Sequence, residues 1–274
     1  MRSKSPVSGD WICRWRAAEP LSVDAASIGQ RLTAPAAVGV DGCRGGWFFF
    51  AGDDDGFRWG LEVRFSQIMQ GLPQDSRVMV DIPIGLAGPS CPVRVCDTLA
   101  RRRLGPRSSS VFSTPSRAAL DCADYADASR RNHEITGRKL SRQSWNLFPR
   151  IREVDAYLDT HRSARAQVFE SHPELCFAAL AGGRPMTHYK KTEPGFAERL
   201  ELLCAQWPEA PAAVEAVLSV LPRSQVARDD IMDALVLAVT ARLDWDNLET
   251  VPAQAEHDQA GLPMAMVCPR ALSA

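Results

Sequence analysis

The chain has no apolar run of about eighteen residues, the length a membrane-spanning helix requires, anywhere in its 274 residues. No apolar segment follows Arg2 and Lys4, so nothing near the N-terminus reads as a signal peptide. Net charge is nearly absent. A formal −1 at pH 7 gives no global attraction to polyanions, so any basic surface must be local. Paired cysteines are missing too. The eight cysteines are scattered, and the nearest two, Cys91 and Cys96, have no second pair or histidines to complete a zinc site. Dispersed cysteines suit reduced, mostly buried thiols and a cytoplasmic location. Internal repeats and low-complexity tracts are absent as well. What is present, 45% hydrophobic and 24% charged residues, is an ordinary globular composition. A chain of this length buries a large core without cross-links.

Residues 1–34 mix Ser, Pro, Asp and Arg around Trp11 and Trp15, with no sustained period beyond a short helix from Ser22 to Leu32. They read as a partly disordered extension, leaving residues 35–274 as a single domain. Three strands follow: one ending at Asp41, one from Trp47 to Ala51, and one from Phe57 to Val63. Asp53-Asp54-Asp55-Gly56 marks the second turn. Connections this short make the three strands antiparallel. A helix from Ser66 to Leu72 leads to the apolar run Val78-Met79-Val80-Asp81-Ile82, a central strand buried on both faces. Residues 85–162 then carry only helix signals: Pro92 to Arg103, Thr114 to Glu134, and Ser141 to Asp159 with a kink at Pro149. Ala166 to Glu170 is a further strand. Helices opened by His172-Pro173, around Phe196 to Trp207, around Val214 to Leu221, and from Ile231 to Leu243 come next. Met264 to Cys268 forms a last short strand. The order implies a mixed sheet flanked by helices, with a helical insert after the fourth strand.

The acids carry the chemistry. Asp41 ends an apolar strand just before a turn containing Gly42, Gly45 and Gly46, and Asp81 ends another. When those strands are neighbours, the two carboxylates lie side by side and repel unless a cation or shared proton intervenes. Asp229, Asp230 and Asp233 sit in the first turns of the last helix, where acids also serve as caps and favour the positive end of the helix dipole. Asp233 is the hardest to explain that way. It lies inside Ile231-Met232-Asp233-Ala234-Leu235-Val236-Leu237, a helix apolar on nearly all sides, where a carboxylate is costly without a partner.

Val40-Asp41-Gly42, the strand-end Asp81 and Asp230-Ile231-Met232-Asp233-Ala234-Leu235 resemble the RNase H-like nucleases, the late helix most of all the RuvC-type resolvases. Further motifs are Gly42-Cys43-Arg44-Gly45-Gly46-Trp47, Asp81-Ile82-Pro83-Ile84-Gly85-Leu86, Arg107-Ser108-Ser109-Ser110, Gly137-Arg138-Lys139-Leu140-Ser141 and Glu170-Ser171-His172-Pro173-Glu174. With these the chain from about Val38 to Cys268 is similar to domain-of-unknown-function family 429, described as predicted RNase H-like nucleases. The resemblance implies an RNase H-like mixed five-stranded sheet. It implies hydrolysis of phosphodiesters by two Mg²⁺ or Mn²⁺ ions held on Asp41, Asp81, Asp230 and Asp233. Glu170, at a strand end, is a fifth candidate.

Contacts to a nucleic-acid substrate are expected from local positive charge and polar loops. Between Arg94 and Arg152 there are thirteen Lys and Arg against five Asp and Glu. Arg107, Ser108 and Ser109 form a loop able to meet phosphate. Arg138, Lys139, His172, Lys191 and the turn residue Arg44 complete the expected substrate set. The bland use of the insert is a solvated helical surface, and Lys190-Lys191 reads as a solvated pair. Two other functions fit the same pattern: a non-catalytic nucleic-acid or protein binding module, or an actin-like or sugar-kinase-like protein whose glycine turn holds nucleotide phosphates. A homodimer is compatible with the sequence, which does not specify the oligomeric state.

Overall fold

The computed structural model describes residues 34–53 and 56–271. The expected N-terminal extension with its helix, and Asp54 and Asp55 of the acidic turn, lie outside the described residues. Strand β1 (Ala37–Cys43) turns tightly into β2 (Gly46–Asp53), which turns into β3 (Gly56–Glu62). Both pairings are antiparallel, as short connections require. Helix α1 (Phe65–Gln70) returns the chain to β4 (Arg77–Val80), parallel to β1. The sheet is completed by β5 (Val168–Glu170), parallel to β4, in the order β3-β2-β1-β4-β5. This is the mixed five-stranded sheet expected, with the first and fourth strands adjacent.

Both faces of the sheet are buried, which explains the continuous apolar runs in β1 and β4. Val38, Val40, Val78 and Val80 point to one side, against Phe65, Ile68, Ile151 and Val154. Phe48, Phe50 and Met79 point to the other, against Leu235, Val236 and Phe177.

Between β4 and β5 the chain is helical: α2 (Val95–Leu104), α3 (Arg117–Leu120), α4 (Tyr125–Thr136), α5 (Arg142–Asn146) and α6 (Phe148–Thr160). The single helix expected from Thr114 to Glu134 is two. Asp124 ends the break by capping α4, its carboxylate accepting the Asp127 N–H at 2.9 Å. Pro149 does not kink a helix. It sits in the first turn of α6, where its missing N–H would have no partner anyway.

After β5 come α7 (Pro173–Leu180), α8 (Glu193–Gln206), α9 (Ala210–Val220) and α10 (Arg228–Arg242). A hairpin of β6 (Leu248–His257) and β7 (Pro263–Pro269) closes the order. Only its second strand is legible in the sequence. Pro252 breaks the first, and it lies in the stretch between Val251 and Glu256 where the pairing register shifts.

Helix α10 is buried from Ile231 to Ala241. It reaches the sheet so closely because β1 has no side chain at Gly39. A Cβ there would stand 2.1 Å from Ala234 O and 2.1 Å from Ala238 N. The helix therefore lies on the backbone of β1, two residues before Asp41.

Candidate functional site

The parallel register pairs Val40 with Val80, and the Asp81 N–H continues the ladder to Val40 O at 3.0 Å. Asp41 and Asp81 are the next residues on the two strands. Side chains alternate between faces, so Asp41 shares the face of Gly39 and Asp81 that of Met79, the side covered by α10. From α10, Asp233 sits one residue before Ala234, which contacts Gly39. Asp230 lies a turn earlier. These four acids meet at one end of the sheet.

Their electrostatics bear the proximity out. Burial, then Asp81, Asp233 and Asp230, raise the Asp41 pKa well above the usual carboxylate range. Burial raises Asp81 as well, opposed by His172 and Lys190. Asp233, 1% exposed, is pushed up to about 7 by burial against the pull of Lys190, with Asp81 and Glu174 adding to the rise. Asp230 is raised by burial, although one of its oxygens accepts the Ala227 N–H at 2.9 Å and so closes the first turn of α10.

Lys190 is the residue the sequence pattern undervalued. Its Nζ is 2.5 Å from Asp233 Oδ2 and 3.7 Å from Asp229 Oδ2, and its charge lowers the proton affinity of all four acids. Lys191 lies 3.8 Å from Asp229. Glu174 was also undervalued. It reads as a first-turn acid of a helix, but it is buried and raises both Asp81 and Asp233. One Glu174 oxygen binds Arg199 at 2.6 Å and the other has no partner. Its partner Arg199 lies 25 residues on, between Glu198 and Glu201, where nothing in the sequence marks the pairing.

Glu170 is not in the centre. Its strand partner is Val80, which faces the opposite side of the sheet from Asp41 and Asp81. There both oxygens accept from Arg94 at 2.7 Å and one also accepts the Ile84 N–H at 2.7 Å. Burial raises its pKa against these partners. Glu170 is a buried structural ion pair. It and Asp81 border the same crevice of about 10 Å³, room for no more than about one water.

The expected substrate residues divide. Arg44 is exposed in the β1–β2 turn, and Arg138 and Lys139 are exposed after α4. His172 is buried beside Asp81, with Nδ1 unpartnered and Nε2 3.4 Å from Ser110 O. Arg107 is committed elsewhere: its Nε donates to Met186 O at 2.8 Å and its Nη2 to Thr187 O. Ser108 turns its carbonyl to the Val111 N–H at 3.2 Å, and Ser109 is exposed. Much of the insert's positive charge is likewise used internally. Arg94 pairs with Glu170 and Arg103 with Glu249. Arg117 binds Asp155 and Asp258, and Arg152 binds the Leu120 and Cys122 carbonyls. The charge count is right, but it overstates the surface available to a polyanion.

The donor set fits a hard cation. It consists of carboxylate oxygens, the preferred ligands of Mg²⁺, and Asp233 Oδ1 is buried without a partner. Among the described residues, however, no three His, Cys, Asp or Glu side chains are drawn together into a ready metal cage. Lys190 stands among them. Among the described residues no helix is long and apolar enough to cross a membrane. Seven described cysteines are free.

The model of a family described as protein of unknown function (DUF429) matches residues 39–257. No curated protein and no solved structure matches.

Proposed function

We propose, from the premise that this chain belongs to the DUF429 family, that it is a metal-dependent phosphodiesterase acting on nucleic acid. The observation that carries the reading is the convergence of Asp41, Asp81, Asp230 and Asp233 from three distant segments, each with its proton affinity raised. Clustering acids this way is costly in a fold unless a cation offsets it.

Asp41 and Asp81 would hold a Mg²⁺ or Mn²⁺ ion, with the uncapped oxygen of Asp230 beside them. A bound ion supplies a Lewis acid for a phosphoryl oxygen and lowers the pKa of a bound water. The chain's own groups orient what enters. His172 Nδ1, buried and unpartnered next to Asp81, can hold a water or a phosphate oxygen. Lys190 holds Asp233 in place. Arg44 and Lys191 are exposed near Asp41 and Asp229 respectively and suit the flanking phosphates of a longer strand.

A nucleotide-phosphate cradle in the glycine turn is the weaker alternative. The Gly45 N–H, the group a phosphate would need, donates to Gln225 O at 2.9 Å. A non-catalytic binding module keeps its place as the outcome of a failed test. The test is cleavage of labelled single-stranded, duplex and branched DNA and RNA with Mn²⁺. Cleavage lost to background in Asp41→Asn and Asp81→Asn is the expected result. No cleavage of any substrate, or cleavage that survives both substitutions, overturns the reading.

A further inference from the structure

We infer that Lys190 is a built-in cation of the carboxylate centre, so that the centre takes one divalent ion rather than two. The inference rests on the reading of the centre as a metal site and sharpens it.

Three observations carry it. The first is position. The Lys190 ammonium meets Asp233 at 2.5 Å and Asp229 at 3.7 Å, and acts electrostatically on Asp41, Asp81 and Asp230 as well. It occupies the α10 side of the acid cluster, where a second ion would need Asp233.

The second is construction. The loop that carries Lys190 is held at several points by side chains from elsewhere. Glu198 accepts the Thr187 N–H at 2.7 Å and the His188 N–H at 2.9 Å. Arg199, 2% exposed, donates to His188 O at 3.2 Å and Gly195 O at 2.8 Å while paired with Glu174. Arg107 reaches from the helical insert to the Met186 and Thr187 carbonyls. Gly195 lets the loop fold back on α8, since a Cβ there would stand 2.0 Å from Tyr189 O. A solvated surface lysine needs no such frame. A side chain whose ammonium must stay at one point does, because a lysine stem is long and loses much rotamer freedom when fixed.

The third is what is left over. Asp233 Oδ2 is satisfied by Lys190 while Oδ1 is buried and unpartnered. With one oxygen bound to the ammonium, Asp233 can offer the remaining one to a single ion shared with Asp41 and Asp81. It cannot also complete a second site. An ion held there would supply one positive charge to a phosphate and Lys190 would supply another, a role that lysine fills as a compact point charge.

The experiment is a calorimetric Mn²⁺ titration of the metal-stripped full chain, with Lys190→Met and Lys190→Arg alongside and folding checked by circular dichroism. One ion per chain is expected for the wild type and for Lys190→Arg. Two ions per chain are expected for Lys190→Met, whose side chain keeps the length but not the charge. Two ions in the wild type overturn the inference and leave the metal reading standing. One ion in a folded Lys190→Met also overturns it. No binding in the wild type overturns the metal reading itself, and this inference with it. Should Lys190→Met fail to fold, the wild-type stoichiometry alone decides.

Discussion

Lys190 Nζ donates to Oδ2 of Asp233 at 2.5 Å, joining a lysine on a surface loop to a carboxylate that is 1% exposed in the buried stretch Ile231–Ala241 of α10. The pair explains how α10 tolerates an acid among Ile231, Met232, Ala234 and Leu235. Breaking a fully buried pair costs roughly 3–5 kcal/mol. The Lys190 side chain is 30% exposed, so a smaller loss is expected. Lys190→Met should lower the stability of the metal-free protein by roughly 2 kcal/mol, with much of it regained on adding Mn²⁺. Urea unfolding with and without the ion measures both.

The pH dependence of stability has a definite sign. Burial raises the folded pKa of Asp41, Asp81, Asp230 and Asp233, so the native state binds protons more tightly than the unfolded chain. Their contribution is fully present below the ordinary carboxylate pKa of about 4. It is lost as pH rises through about 7, the value reached by Asp233. The metal-free protein should therefore melt at a lower temperature at pH 8 than at pH 5.5. Asp41→Asn should raise the metal-free stability at pH 8, because it removes one of the buried, mutually repelling carboxylates, while removing the stabilisation by Mn²⁺. Thermal melts across that range test it, and a flat profile shared by wild type and Asp41→Asn would count against the cluster.

Glu170 and Arg94 make the opposite prediction to the clustered acids Asp41, Asp81, Asp230 and Asp233. Glu170→Ala leaves Arg94, 4% exposed, with its charge uncompensated except by Asp97. A loss of roughly 3–5 kcal/mol is expected. Mn²⁺ affinity of whatever fraction remains folded should be unchanged, because the pair lies on the far face of β5. A tenfold loss of affinity at full stability would return Glu170 to the centre.

Gly39 tests the frame that brings β1 and α10 together. Gly39→Ala must push α10 away from β1, since the new methyl meets backbone at 2.1 Å on two sides. A loss of at least about 1–3 kcal/mol, the range for overpacking, should come with weakened Mn²⁺ binding, as Asp41 and Asp233 move apart.

Much of the centre is legible in the chain itself. Asp41 and Asp81 interrupt apolar strands at their ends, and Asp233 is an acid that a buried helix cannot hold without help. The sheet order follows from connection lengths. Glu170 was open to the same reasoning and is misread only when strand alternation is ignored: register with Val80 turns it to the other face. Lys190 is different. Beside Lys191, Pro194 and Gly195 it reads as a solvated residue, because its role comes from Arg107, Glu198 and Arg199 folding the loop. The insert's arginines fail for a related reason. Composition counts charges, while the groups that occupy them are distant in sequence: Asp155 and Asp258 for Arg117, Glu170 for Arg94, Glu249 for Arg103.

Anomalous diffraction from a crystal soaked in Mn²⁺ addresses the centre directly. A single Mn²⁺ peak in contact with the carboxylates of Asp41 and Asp81, absent in Asp41→Asn, is the predicted result. A fully soaked crystal with no peak among these acids, or with its peaks only elsewhere on the protein, would contradict it.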